Sequence, residues 1–284
     1  MLTICKEIIV FVLARLSAFR FVQVLGRAGL SLYKGVENYS YNSRLNGERF
    51  VLSRLNLGSK VVFDVGANRG NWAKQVIELH PKAEVHCFEL VPKTFEMLSR
   101  SLIAPQVKLN NFGLADKSAW VEFFEGRDCD EHASLLPLAN NQPSQGHLVE
   151  VQSGDRYVID QGLKHIDYLK IDVEGAELTV LKGFDQMLAA RKIDLIQFEY
   201  GPNTKQARVF LADFYDLLGK YGFILGKIFP NGVDFKEYHI ENENFVGPNY
   251  IAVRSECTSL LKALSRKPGV IQPFSIDTSN RSAN

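Results

Sequence analysis

The stretch that most limits the fold is residues 61–92, VVFDVGANRGNWAKQVIELHPKAEVHCFELVP. Lys60–Val65 is dominated by apolar residues instead of alternating with polar ones, the pattern of a strand covered on both faces. Asn71–His80 follows with Trp72, Val76 and Leu79 at helical spacing, and Pro81 stops it. Glu84–Glu89 is then a second buried strand. Strand, helix and strand in this order make a parallel pair joined by a crossover helix, and such sheets need helices on both faces.

The same alternation continues downstream. Lys93–Leu102 reads as a helix, Val107–Phe112 as a third strand and Ile166–Ile171 as a fourth. A helix with Ala176, Val180, Leu181, Phe184 and Leu188 on one face comes next, then a strand over Ile193–Glu199 and a helix over Lys205–Tyr221. Phe223–Phe229 and Asn249–Val253 read as a closing hairpin with a long loop. The expected fold is α/β and doubly wound, with a mostly parallel sheet. Glu125–His147 breaks the rhythm; it is polar and long for a passive connection, the profile of a functional lid or an insertion.

Ligands of such sheets bind beyond the carboxyl ends of the strands, where the first strand turns into its helix. Here that turn is Gly66-Ala67-Asn68-Arg69-Gly70, directly after Asp64. The glycines permit a tight turn and close approach of backbone to ligand. Free amides at the start of the helix from Gly70 favour a negative group. Glu89, nineteen residues past Gly70, ends the second strand, where an acid accepts hydrogen bonds from ribose hydroxyls. The turn lacks the G-x-G-x-x-G order of a nicotinamide site, and an acid ahead of it suits the cationic amino group and sulfonium of S-adenosylmethionine. A nicotinamide-dependent oxidoreductase is the enzymatic rival. A noncatalytic, membrane-associated partner on the same fold is the other, and it predicts a damaged turn, which this chain does not have.

A second constellation lies in IDYLKIDVEGAELTVLKGF, residues 166–184, where Lys170, Asp172 and Glu174 end one strand and enter the next turn. An isolated match of this kind reads equally as a capped helix, its acids meeting the helix dipole. Glu199 ends the following strand at the same edge.

The segments DVGANRG, HCFELVP, NNFGLADKSAWVEFF, ASLLP and YLKIDVEGAELTVLKGF, in this order, resemble the FkbM family of S-adenosylmethionine-dependent methyltransferases over residues 48–254. The resemblance implies a class I methyltransferase fold, Rossmann-like, with seven strands of which the last is antiparallel. It also implies O-methylation of a hydroxyl on a sugar, glycolipid or natural product. Carried over, Asp64, Gly66, Ala67, Asn68 and Gly70 form the loop on the methionine side and Glu89 holds the ribose. Leu90 and Pro92 flank the adenine, with Ala115 and Asp116 near its amino edge. Two departures stand out: Leu90-Val91-Pro92 replaces the more usual residues after Glu89, and the family's Ser-Ser-Leu element is Ala133-Ser134-Leu135.

An alcohol is a poor nucleophile until its proton begins to leave, so a base beside it helps. Asp172 is the first candidate, with Glu199 and His132 behind it, and Ser134, Lys170 and Glu174 are expected to contact the acceptor. Asp172 and Glu174 offer carboxylates to a divalent cation, but no histidine joins them and no metal is expected.

The 284 residues carry a formal net charge of +1, so no basic footprint points to nucleic acid. Cys5, Cys87, Cys129 and Cys257 are scattered without metal-ligand spacing, which suggests a reducing, cytoplasmic setting. Residues 1–47 read as a helical extension, 48–256 as the methyltransferase domain and 257–284 as a tail, frayed from Pro268 onward. The first 34 residues are apolar and basic, yet their longest uncharged apolar stretch, Ile8 to Ala14, is too short to span a bilayer. Two readings of them stand: a helix packed on the domain, or one lying on a membrane surface.

Overall fold

The computed structural model of the protein describes residues 2–123 and 147–267. Three helices come first: α1 (Leu2–Arg15), α2 (Arg20–Val36) and α3 (Glu48–Arg54). Then follow β1 (Val61–Val65), α4 (Asn71–Leu79), β2 (Glu84–Phe88), α5 (Pro92–Ser101) and β3 (Val107–Asn110). The middle of the chain holds β4 (Gly113–Ala115), β5 (Ala119–Phe123), β6 (His147–Ser153), α6 (Gly154–Asp160) and β7 (Ile166–Ile171). After it come α7 (Glu177–Lys182), α8 (Asp185–Ala189), β8 (Ile193–Glu199), α9 (Pro202–Gln206) and α10 (Leu211–Lys220). Last are β9 (Phe223–Phe229), β10 (Gly232–Phe235), β11 (Asn249–Arg254) and α11 (Thr258–Leu264).

Eight strands form the main sheet in the order β10-β9-β11-β8-β7-β1-β2-β3. The strands from β3 to β8 run parallel, and β11 inserts antiparallel between β8 and β9. The seven expected strands are all present in class I methyltransferase order, and β10 adds an eighth by folding back on β9. A second sheet, β4-β6-β5, was not expected from the sequence. Its strands are short and one face stays wet: Trp120 and Leu148 are exposed, so no continuous apolar run marks them.

Because successive side chains on a strand face opposite ways, the main sheet separates two cores. Phe63, Val65, Leu169, Ile171, Ile196 and Phe198 belong to one. Val62, Val85, Tyr168, Leu195, Ile251 and Trp72 belong to the other. Burying each such side chain contributes about 1.5–3 kcal/mol.

Two expected helices are interrupted. The helix read through Leu188 breaks at Gly183, where a Cβ would sit 1.9 Å from the Ala115 carbonyl oxygen. The one read from Lys205 to Tyr221 splits into α9 and α10, with Arg208 between them at φ 59°. The segment after residue 256, expected as tail, still packs as α11: Leu260 and Leu261 lean on the second core and Leu264 is fully buried.

The domain does not cover the first two helices. Of α2 only Val22 is buried, while Phe21, Val24, Leu25, Leu32 and Val36 are exposed, as are Ile8 to Leu13 of α1. Attachment begins at the end of α2, where the Glu37 carboxylate meets the buried Lys227 ammonium at 2.7 Å. The Asn38 amide then donates to the Ile228 carbonyl at 2.9 Å. No helix among the described residues is long and apolar enough to cross a membrane.

Candidate active site

The turn after β1 is built from three residues in the left-handed region, Gly66 (φ 82°), Asn68 (φ 46°) and Gly70 (φ 76°). Gly66 and Ala67 both donate their amides to the Phe88 carbonyl at 2.9 Å. These two amides are therefore engaged with β2, and the first amides of α4 stay the place expected to favour a negative group. Glu89 clamps the turn from the neighbouring strand end: its Oε2 accepts from the Asn68 amide and its Oε1 from the Val91 amide, each at 2.9 Å. Burial raises the Glu89 carboxyl, opposed by these amides. Pro92 is the first residue of α5, Leu90 precedes it half-buried, Ala115 is buried at the end of β4 and Asp116 is exposed just beyond.

Sheet register decides what lies beneath. Asp64 on β1 pairs with Lys170 on β7, and Lys170 with Gln197 on β8, so three polar side chains form a row on the same face of adjacent strands. The Lys170 ammonium, itself buried, reaches Asp64 Oδ1 at 3.4 Å and Asp172 Oδ2 at 3.0 Å. Asp64 is fully buried and its Oδ2 has no hydrogen-bond partner. Burial raises its carboxyl, with Lys170 opposing. For Asp172 burial also acts upward, but the Lys170 charge and hydrogen bond win, leaving it below the ordinary carboxylate range. The other acids near Lys170 include Glu48 from α3, which accepts from the Gln197 amide at 2.7 Å. Gln197 in turn accepts from the Tyr168 hydroxyl at 2.5 Å.

Asp172, Glu174 and Glu199 converge at the ends of β7 and β8, with carboxylate oxygens within 4.8 Å of one another. Burial, then the Asp172 and Glu174 charges, push the Glu199 carboxyl up to about 11. Glu174 is pushed up to about 8, by burial first and then by Asp172. The Asn203 amide from α9 donates to Glu174.

The glycine turn and the acidic cluster touch. A Cβ on Gly66 would sit 1.8 Å from the Asp172 carbonyl oxygen, and the Asp172 amide donates to the Val65 carbonyl at 2.9 Å. Of the residues expected at the site, Asp64, Gly66, Ala67, Asn68, Gly70, Glu89, Lys170, Asp172, Glu174 and Glu199 fall on this one edge. His132 and Ser134 lie outside the described residues.

Several participants were missed. Glu177 Oε1 accepts from the Val173 and Gly175 amides at 3.1 Å and holds the turn that carries Glu174. It closes the KIDVEGAE segment, so the signal was present. Glu48 and Asn203 belong to no motif. Tyr41 from the N-terminal extension is exposed, forms an edge-on pair with Tyr39 at 5.3 Å, and feels the charges of Glu199 and Glu174.

Residues 64–225 match the family described as "Methyltransferase FkbM domain". The 2-O-methyltransferase NoeI of Sinorhizobium fredii is 28% identical over 209 residues, 68% of this chain and 84% of that protein. The hexuronic acid methyltransferase AglP of Haloferax volcanii is 28% identical over 198 residues, 67% of this chain and 79% of that protein. Among solved structures, a precorrin-6y C5,15-methyltransferase from Geobacter metallireducens aligns with TM-score 0.40 and 14% identity, covering 72% of this chain and 86% of that one.

Proposed function

The chain belongs to the FkbM methyltransferase family, and on that footing we propose that it moves the methyl group of S-adenosylmethionine onto a hydroxyl of a sugar or glycan. The single observation that supports a shared site is the backbone contact between Gly66 and Asp172, which joins the cofactor turn to the acidic cluster. The similarity to a 2-O-methyltransferase and a hexuronic acid methyltransferase supports a sugar acceptor. The exposed Tyr41 ring near the acids, set edge-on against the half-buried Tyr39, adds an aromatic surface of the kind sugar rings stack on.

In this reading the turn Asp64–Gly70 cradles the methionine end and Glu89 takes the ribose hydroxyls. Leu90, Pro92, Ala115 and Asp116 border the base. The acceptor oxygen attacks the methyl carbon in line with sulfur. When bound, S-adenosylmethionine would supply an electrophilic methyl group, its S–CH3 electron pair staying on sulfur as a neutral thioether while the acceptor oxygen takes the carbon. The hydroxyl proton leaves toward Asp172. That side chain is 41% exposed and reachable by an acceptor, whereas the Glu199 residue is only 7% exposed. Lys170 fixes Asp172 in place, and positioning of this kind can supply several kcal/mol of the barrier.

Labelled methyl transfer from S-adenosylmethionine into a panel of glycans and cell-envelope glycolipids tests the assignment, with the product located by mass spectrometry. Calorimetry is expected to show S-adenosylhomocysteine binding and no NAD binding; preferential NAD binding would refute it. Glu89→Ala removes both the ribose contact and the clamp on Asn68 and Val91. It should weaken S-adenosylhomocysteine binding by about 1.5–3 kcal/mol, the scale for a hydrogen bond to a charged group.

The exposed apolar side chains of α1 and α2, with Arg15, Arg20, Arg27 and Lys34 among them, favour contact with an anionic membrane surface. The full chain should therefore sediment with anionic vesicles more than a chain beginning at Tyr33 does. Equal sedimentation of the two rejects the contact.

A further inference from the structure

We propose that Asp172, Glu174 and Glu199 bind one divalent cation of the hard, oxygen-seeking kind, magnesium or manganese, where the acceptor hydroxyl must sit. This rests on reading the strand-end edge as the methyl-transfer centre. The three side chains come from separate places: the residue after β7, the turn behind it, and the end of β8. Their oxygens nevertheless lie within 4.8 Å of one another. Two oxygens on one magnesium, each about 2.1 Å from it, are at most about 4.2 Å apart, so small side-chain shifts close this set onto an ion.

A second observation separates the set from an ordinary solvated acidic patch. Glu199 is 7% exposed, and its Oε1 is buried with no hydrogen-bond partner. A carboxyl group that keeps one buried oxygen unsatisfied, within a set of three converging acids, has an acceptor that a cation would satisfy. The local charge points the same way. The Lys170 ammonium pairs with Asp172 and Asp64 and faces Glu48 as well, so it offers one positive charge to three acids and has none to spare for the cluster. An all-carboxylate set with no imidazole or thiolate suits magnesium or manganese over zinc. Asn203, bonded to Glu174, orients that ligand from outside. Water and the acceptor hydroxyl would complete the coordination, and a hydroxyl bound to the ion loses its proton more readily.

A second acidic group, His165, Asp167 and Asp194, provides the control. There Asp167 is already committed, to the Lys60 ammonium at 2.8 Å and the Val61 amide at 2.9 Å.

The test is titration of the chelator-treated full chain with Mn²⁺, following free Mn²⁺ by electron paramagnetic resonance, with and without S-adenosylhomocysteine. One ion per chain is expected, displaced by excess Mg²⁺. Glu199→Gln and Glu174→Gln should each weaken binding at least about tenfold, while Asp194→Asn should bind as the unmodified chain does. Circular dichroism confirms folding, and if Glu199→Gln fails to fold, the less buried Glu174→Gln decides. No binding up to about 1 mM in either condition overturns the proposal. So does unchanged binding in the folded glutamate variants, or loss of binding in Asp194→Asn. Methyl transfer that survives exhaustive chelation overturns the ion and leaves the methyltransferase reading standing. Mn²⁺ binding at these residues in a chain that fails to bind S-adenosylhomocysteine has the opposite meaning: the ion stands and the cofactor assignment falls.

Discussion

Asp172→Asn should lower methyl-transfer turnover about 10²–10⁴-fold, the usual worth of general acid–base catalysis, and leave S-adenosylhomocysteine affinity almost unchanged. The substitution keeps the size of the side chain and removes its negative charge. The Lys170 ammonium loses the charge of its closer partner, at 3.0 Å, and keeps the Asp64 carboxyl at 3.4 Å. The cofactor turn is held by other contacts, the Gly66 and Ala67 amides on Phe88 and the Asn68 amide on Glu89, so binding and turnover should separate cleanly. If Asp172 is merely a charge partner for Lys170, the variant should lose a little stability and keep most of its turnover. Single-turnover rates and calorimetric affinity, measured on the same preparation, tell these apart, and near-normal turnover sinks the proton-acceptor role.

Gly66→Ala should do the reverse and destroy cofactor binding through the backbone. Two penalties add. A residue with a Cβ at φ 82° pays roughly 1–2 kcal/mol for the left-handed conformation. Its methyl would also stand 1.8 Å from the Asp172 carbonyl oxygen, a backbone atom that cannot rotate away, and forced overpacking costs typically about 1–3 kcal/mol. The expected loss is therefore about 2–5 kcal/mol of stability, read as a lower melting temperature, together with a melting temperature that no longer responds to S-adenosylhomocysteine. Gly162→Ala is the matched control. It has a similar φ of 64° but open space around the position, so it should show the conformational cost alone and retain the ligand response. A Gly66→Ala chain that melts and binds S-adenosylhomocysteine as the unmodified chain does would refute the close packing of Gly66 on the Asp172 carbonyl.

What the sequence disclosed follows from which forces act locally. Strands β1, β2 and β7 to β9 were legible because each is a mostly buried apolar run between helix and turn signals, and β3, half-exposed at the sheet edge, was legible from its place after the second helix. The acids at their ends were legible because a charge terminating such a run must emerge at the sheet's edge: Asp172, Glu174 and Glu199 do meet there. The pairing of Lys170 with Asp64 was not legible, since it depends on the register between two strands that no local pattern specifies. Nor was the partnerless oxygen of Glu199, which exists only once β8 lies beside β7. The double anchoring of the Gly66 and Ala67 amides on the Phe88 carbonyl was not legible either, since it needs β2 beside β1. The short sheet of β4, β5 and β6 escaped notice for a different reason: strands of three to seven residues with a wet face carry little periodic signal.

The adjacency of β1 and β7 also governs when the site can come into being. Lys170 and Asp64 are 106 residues apart in the chain, and β2 and β3 flank β1 only on its other side. A chain emerging from the ribosome thus presents the residues of the glycine turn, α4 and the Glu89 clamp well before the strand that supplies the acids has been made. Closing so large a loop is slow relative to local pairing. Until it closes, one edge of β1 remains unpaired and Asp64 stays without its ammonium. The acids of that edge therefore cannot join the glycine turn before β7 and β8 have been made, and a nascent or truncated chain ending before Ile166 would carry the turn with neither Lys170 nor Asp172 beside it.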